Sequence, residues 1–213
     1  MNNEDLEKID FKTLDYHLRY KQETAAQFAV LLLLVDYEGQ LQVLFELRSK
    51  TLNADSQPGD ISLPGGYCES ADVVAEALRE TQEEIGVPAQ AIEIHGVMEA
   101  LVAGSERLIT PVVGHLPDFS WDMLELNREE VEAVFLVPLS FFVETKPQQH
   151  FVAYTPVFGE DFPFDKITGG RDYRWKTRGE EFSFYYYRDY TIWGFTAAII
   201  RQFVNILAAS ARL

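Results

Sequence analysis

The chain is poor in cysteine, in basic residues and in long apolar runs. Its single cysteine, Cys68, cannot close an internal disulfide, and its four histidines, His17, His95, His115 and His150, stand far apart along the chain. Neither a disulfide scaffold nor a Cys/His zinc motif is expected from that spacing. Any metal is therefore expected to be held by oxygen. Only 18 Lys and Arg face 34 Asp and Glu, and the resulting net charge of −16 repels a polyphosphate backbone. The chain carries no electrostatic footprint for DNA or RNA, and nonspecific nucleic-acid binding is not expected. The opening residues lack the apolar stretch of a secretory signal or a membrane span, which points to a cytoplasmic protein without a membrane partner. The final Ala211-Arg212-Leu213 resembles a peroxisomal Ser-Lys-Leu address only loosely.

What is present suffices for one substantial core: 213 residues, 47% of them hydrophobic. A single domain over 1–213 is expected, with 1–24 as a helical extension in which Leu6, Phe11, Leu14 and Leu18 share one side. Ala29 to Val35 reads as a buried strand, Asp36 to Gln40 as a turn, and Leu41, Val43, Phe45 and Leu47 recur at period two, so the pair predicts a hairpin. Ala71 to Ile85 predicts a helix with Ser70 as N-cap and Gly86 as its stop. Further strands are expected at 92–102, 108–116, 133–137 and 182–187, and a closing helix over 191–209. The architecture is mixed α and β.

Within the first helix Glu80, Glu83 and Glu84 fall on one face, with Glu76 a turn earlier, while Val74, Ala77, Leu78, Thr81 and Ile85 fall on the other. Like charges one turn apart are unfavourable by roughly 0.2–0.5 kcal/mol per pair, and acids near a helix C-terminus oppose its dipole. A hard divalent cation reverses the sign of that electrostatic cost. Arg79 can orient Glu83 from one turn away. A solvated acidic face is the plain alternative for this segment alone. Just upstream, Pro64-Gly65-Gly66 allows the backbone to approach a phosphate closely, or simply re-aims the chain into the helix.

Gly65 through Val87 resembles a Nudix box, whose pattern runs Gly, five residues, Glu, seven residues, Arg-Glu, apolar, any, Glu-Glu, any, Gly, apolar. Gly65 and the stretch Arg79 to Val87 match at the right spacing, while Ala71 stands in place of the first Glu and Thr81 in place of an apolar residue. A wider set resembles the coenzyme A pyrophosphatase branch: Arg48-Ser49, Gly59, Pro64-Gly65-Gly66, Ala77 to Thr81, Thr110 to Gly114, Asn127 with Glu130-Val131, and Ile192-Trp193-Gly194. Asn53 and Leu63 depart from that branch's upstream signature.

The resemblance implies an α+β fold of Nudix type, an α/β/α sandwich around a mixed central sheet. It also implies a hydrolase that uses Mg²⁺ or Mn²⁺, held by Glu80, Glu83 and Glu84, against the diphosphate of a nucleotide substrate. Arg79 supports those acids, and Glu80 and Glu130 are both candidates for the base. A pyrophosphatase acting on coenzyme A is the leading substrate reading; ADP-ribose hydrolysis and nucleotide sensing without turnover are the alternatives. For the substrate's phosphates the candidates are Arg48, Lys50, Gly65 and Gly66. A second basic group, with Arg174 and Arg178 beside Tyr173 and Trp175, suits adenine stacking and phosphate pairing, or is a solvated loop that balances nearby acids. A homodimer is compatible with the sequence.

Overall fold

The computed structural model describes residues 26–53, 57–103, 107–176 and 178–210. The expected N-terminal helix and the 211–213 tail lie outside the described residues. β1 (Ala26–Tyr37) and β2 (Gln40–Arg48) form the expected hairpin, turned by Glu38 and Gly39 with φ of 51° and 76°. Their pairing runs only from Leu34 opposite Val43 to Tyr37 opposite Gln40. Beyond that point the strands part. β2 continues along β3 (Ile61–Ser62) and β8 (Val131–Pro138), whereas the first half of β1 takes up β4 (Gly65–Tyr67). Leu63 and Pro64 cross the fork, and the Pro64 carbonyl accepts from the Leu31 N–H at 2.7 Å.

On the other edge of β1, β7 (Arg107–Leu116) runs parallel from Ala26 to Val35, and pairs in turn with the antiparallel β5 (Glu93–Val97) and β6 (Leu101–Ala103). This one parallel pair makes the eight-stranded sheet mixed. The run Leu31 to Leu34 is buried on both faces of the sheet, as a covered central strand requires. Leu31 and Leu33 meet α1 (Val73–Ile85) through Ala77 and Ile85, while Leu32 and Leu34 belong to the core under α2 (Leu139–Glu144) and α3 (Gly194–Ser210). The period of two along one strand thus feeds both cores of an α/β/α sandwich.

Several expectations shift. The first helix begins at Val73, because Asp72 and not Ser70 caps it, its carboxylate accepting from Val74 N and Ala75 N. The strand expected over 92–102 is two strands, β5 and β6. Thr191 to Trp193, expected as helix, form β11 (Tyr190–Trp193) and pair with β10 (Arg178–Tyr187), which also pairs with β9 (Gln148–Tyr154) in a separate three-stranded sheet. Tertiary pairing overrides the helical periodicity there, and Gly194, with φ of 62°, marks the break. Among the described residues no helix is long and apolar enough to cross a membrane.

Gly65 is fixed by close approach: its φ is 144°, and a Cβ there would stand 2.3 Å from the Ala29 carbonyl oxygen. Gly65→Ala is expected to lower the free energy of unfolding by about 2–4 kcal/mol, read as a lower urea midpoint at unchanged slope.

Candidate active site

α1 carries its acids to the fork where β1 and β2 part. Its C-terminal carbonyls, which no helical N–H can reach, accept from the next loop: Ile85 from Glu125 N–H at 3.0 Å and Glu84 from Asn127 N–H at 2.9 Å. This anchors the segment that holds Glu130, whose carboxylate accepts from Asn127 Nδ2 at 2.9 Å and whose carbonyl accepts from Ser49 N–H at 2.7 Å. Helix, loop and the end of β2 therefore converge on one spot.

Glu84 is buried, and its Oε2 accepts from the Gly65 N–H at 2.7 Å. Beneath it lies Glu46 of β2, fully buried, whose Oε1 accepts from Ser62 Oγ at 2.8 Å and stands 3.6 Å from Arg48 Nη1. Among the described residues Glu46 Oε2 has no hydrogen-bond partner, although it is buried. Burial pushes the Glu84 carboxyl well above the usual carboxylate range, with the charge of Glu46 adding to it. Glu46 is likewise raised by burial, with Glu130 and Glu80 opposing its ionisation. Glu80, half-buried, is raised by burial against the pull of Arg79, and its carboxylate lies where a Cβ on Gly66 would meet it at 2.4 Å. Four acids, Glu46, Glu80, Glu84 and Glu130, thus act on one another's charge.

Arg79 ties the outer acids. It donates from Nη2 to Glu76 at 2.9 Å and to Glu80 at 2.6 Å, and from Nη1 to Glu83 at 2.9 Å. Glu76 also accepts from Ser70 N–H, and hydrogen bonds from Ser70 and Arg79 hold its carboxyl down to about 2. Glu83 stands at the rim, its side chain 56% exposed. The three box acids are therefore not equivalent: Glu84 is deepest, Glu80 is half-buried and Glu83 is outermost. Thr81, polar where the box has an apolar residue, donates to the Ala77 carbonyl at 2.7 Å and so fits the buried face.

Beside the acids opens a cavity of about 400 Å³, lined by Phe28, Arg48, Gly65, Gly66, Arg107 and Phe195 among others. Arg48, Gly65 and Gly66 stand where the sequence suggested. The Gly65 N–H, however, is committed to Glu84, so that glycine serves the packing of the fork before any phosphate. Lys50 points elsewhere, 3.4 Å from Glu132 and 74% exposed. Arg174 and Arg178 are exposed, on the loop before β10 and at its first residue, and neither lines the cavity. The sequence reading missed Glu46 and Arg107. An acid inside the apolar run Leu44-Phe45-Glu46-Leu47 was a signal for the first; Arg107 carried none.

An all-oxygen donor set that includes a buried oxygen without a hydrogen-bond partner fits a hard divalent ion such as Mg²⁺ or Mn²⁺. The NUDIX domain family matches residues 25–153. The chain is 34% identical to the peroxisomal coenzyme A diphosphatase of Mus musculus over 157 residues, 73% of this chain and 64% of that protein, so it spans less than two thirds of the mouse relative. It is 31% identical over 160 residues to an uncharacterized Nudix hydrolase, NudL, of Salmonella paratyphi B, covering 73% of this chain and 71% of the relative. A solved Nudix hydrolase from M. smegmatis aligns with a TM-score of 0.46 at 22% identity, over 54% of this chain and 71% of that one.

The raised carboxyls set the pH dependence of stability. Glu46, Glu80 and Glu84 keep protons in the folded state at pH values where the unfolded chain has released them, so stability falls as pH rises above the ordinary carboxylate range. Metal-stripped protein is expected to melt progressively lower in EDTA between about pH 5 and pH 8. Glu84→Gln, which removes the buried charge and keeps the shape, is expected to flatten that slope, as followed by circular dichroism.

Proposed function

The chain belongs to the Nudix family, and from that premise we propose that it is a pyrophosphohydrolase dependent on a divalent metal, cleaving the diphosphate of coenzyme A or its thioesters. The observation that carries this reading is a cluster of four mutually repelling acids that adjoins, through the Gly65 and Gly66 backbone, a cavity lined by two arginines. Similarity to the mouse diphosphatase supports coenzyme A as the substrate class. With water, coenzyme A would yield 3′,5′-ADP and 4′-phosphopantetheine.

Glu80 and Glu84 would hold the metal, with Glu83 joining from the rim, and Arg79 keeps Glu80 and Glu83 in place. Bound Mg²⁺ or Mn²⁺ supplies charge neutralisation of the diphosphate and activation of water. Arg48 and Arg107 face the same space and are suited to the substrate's phosphates, including the 3′-phosphate. Phe28 and Phe195 offer apolar surface to the base or the pantetheine arm. Glu130, held by Asn127 from outside the helix, would take a proton from the attacking water, a reading supported by the engagement of Glu80 with Arg79.

The test is to incubate the protein with Mg²⁺ or Mn²⁺ and, in parallel, with coenzyme A, ADP-ribose, NADH and diadenosine polyphosphates, resolving products by chromatography. Release of 3′,5′-ADP from coenzyme A is expected. A preference for ADP-ribose would reassign the substrate, and binding without turnover of any compound would make the protein a sensor. Glu84→Gln is expected to lower kcat by about two orders of magnitude or more while the fold persists. Arg48→Ala and Arg107→Ala are each expected to raise KM about tenfold, the loss of one charged hydrogen bond to phosphate. Arg174→Ala and Arg178→Ala, outside the cavity, are expected to leave KM unchanged.

A further inference from the structure

The pairing of β5 with β7 assembles a second polar group, remote from the acid cluster. Glu93 lies directly opposite His115, and the register slips between Ile94 and Gly96, leaving His95 as the extra residue of a bulge. Bulges re-aim side chains, and here the ligand atoms of Glu93, His95 and His115 fall within 4.8 Å of one another. The two imidazole rings are 6.0 Å apart between centroids. The expectation that the histidines are too dispersed for metal binding rested on sequence distance, and strand pairing removes that distance for two of them.

His115 decides the chemistry. It is fully buried, and its Nε2 stands 2.9 Å from Asp36 Oδ2. A neutral imidazole has one N–H, and a carboxylate can only accept, so Asp36 places that proton on Nε2. Nδ1 is then a lone pair, buried without a hydrogen-bond partner among the described residues, and a carboxylate oxygen beyond it, Glu93 Oε2, lies 3.8 Å away and is also an acceptor. Two acceptors aimed at each other call for a cation between them. Two tetrahedral zinc ligands at about 2.0–2.1 Å from the ion stand roughly 3.3–3.4 Å apart, so about half an ångström of movement would bring Glu93 and His115 to that spacing, and no pair of the three would need to close by more than about 1.5 Å. Asp36 behind the histidine is the outer carboxylate that fixes tautomer and ring orientation at such centres. Glu93 and Asp36, 58% and 46% exposed, leave an entry path from solvent.

We propose that Glu93, His95 and His115 form a site for Zn²⁺ or a similar late first-row divalent ion, with water completing the coordination. Nitrogen donors select such ions over Mg²⁺. Asp36 lies six residues along β1 from Val30, the partner of Gly65, about 20 Å at the usual rise of a strand. The site is therefore separate from the acid cluster, and its role is to clamp the β5 edge to the sheet.

The test uses the full chain without an affinity tag, stripped with EDTA and returned to excess Mg²⁺ so that the acid cluster is already loaded. Calorimetric titration with Zn²⁺ is expected to give one equivalent. His95→Ala, at a half-buried position, and Glu93→Gln, at an exposed one, are expected to weaken it at least about tenfold, and Asp36→Asn about 10–100-fold. All three are expected to keep their Mg²⁺-supported hydrolysis, whatever the substrate. Zinc raising Tm in the unaltered chain but not in His95→Ala would support the clamp. Unchanged affinity in His95→Ala and Glu93→Gln, or loss of the zinc equivalent in Glu84→Gln instead, would overturn the site. So would nitrogen-detected NMR showing His115 protonated on both nitrogens in the presence of Zn²⁺.

Discussion

The contact on which the site depends is a buried carboxylate, Glu84, accepting the backbone N–H of Gly65 at 2.7 Å. One end of that bond belongs to the helix and the other to the chain that crosses the fork in the sheet, so it sets the helix at a fixed height over the strands. Leaving either group unpaired in this interior would be unfavourable by about 1–3 kcal/mol, more for the ionised acid. The bond also directs the second oxygen of an acid that burial and Glu46 both oppose as an anion. A structural requirement and an electrostatic strain meet in the same side chain.

That strain is offset elsewhere. The helix buries Ala77, Thr81 and Ile85 on the face away from the acids, and Ala29, Leu31, Leu33 and Val112 receive them. Arg79 draws three carboxylates together at the rim, which lowers their repulsion without entering the deep part of the cluster. The deep part, Glu84 over Glu46, sets Ser62, Arg48 and one backbone N–H against two buried acids. An arrangement of this kind is unfavourable for a bare fold and favourable for one completed by a cation, which is why the acid cluster reads as a working site and not as a solvated helix face.

The boundaries of what could be read in advance follow from the range of the forces. The helix bearing Arg79, Glu80, Glu83 and Glu84 was legible because its period and caps are local, although Asp72 displaced Ser70 as the cap once the loop was drawn in by Glu76. The hairpin was legible from Gly39 and the alternation beyond it. β11 was not, since Thr191 to Trp193 continue a helical period and become strand only by pairing with β10. Glu46 stood in an apolar run without a visible reason until β3 and α1 closed over it. His95 and His115 looked unrelated until a bulge placed them on one face.

By itself the sequence determined the box helix, the acids it presents, the dominance of negative charge and the unbroken apolar run that buries β1 on both sides, since each follows from spacing within a few turns or residues. Only the tertiary structure decided which acids are deep and which are at the rim, that Arg48 and Arg107 share a cavity while Arg174 and Arg178 do not, and that two distant histidines become neighbours. Burial and strand register are properties of elements far apart in the chain, and the charge state of a carboxylate depends on what covers it more than on what precedes it.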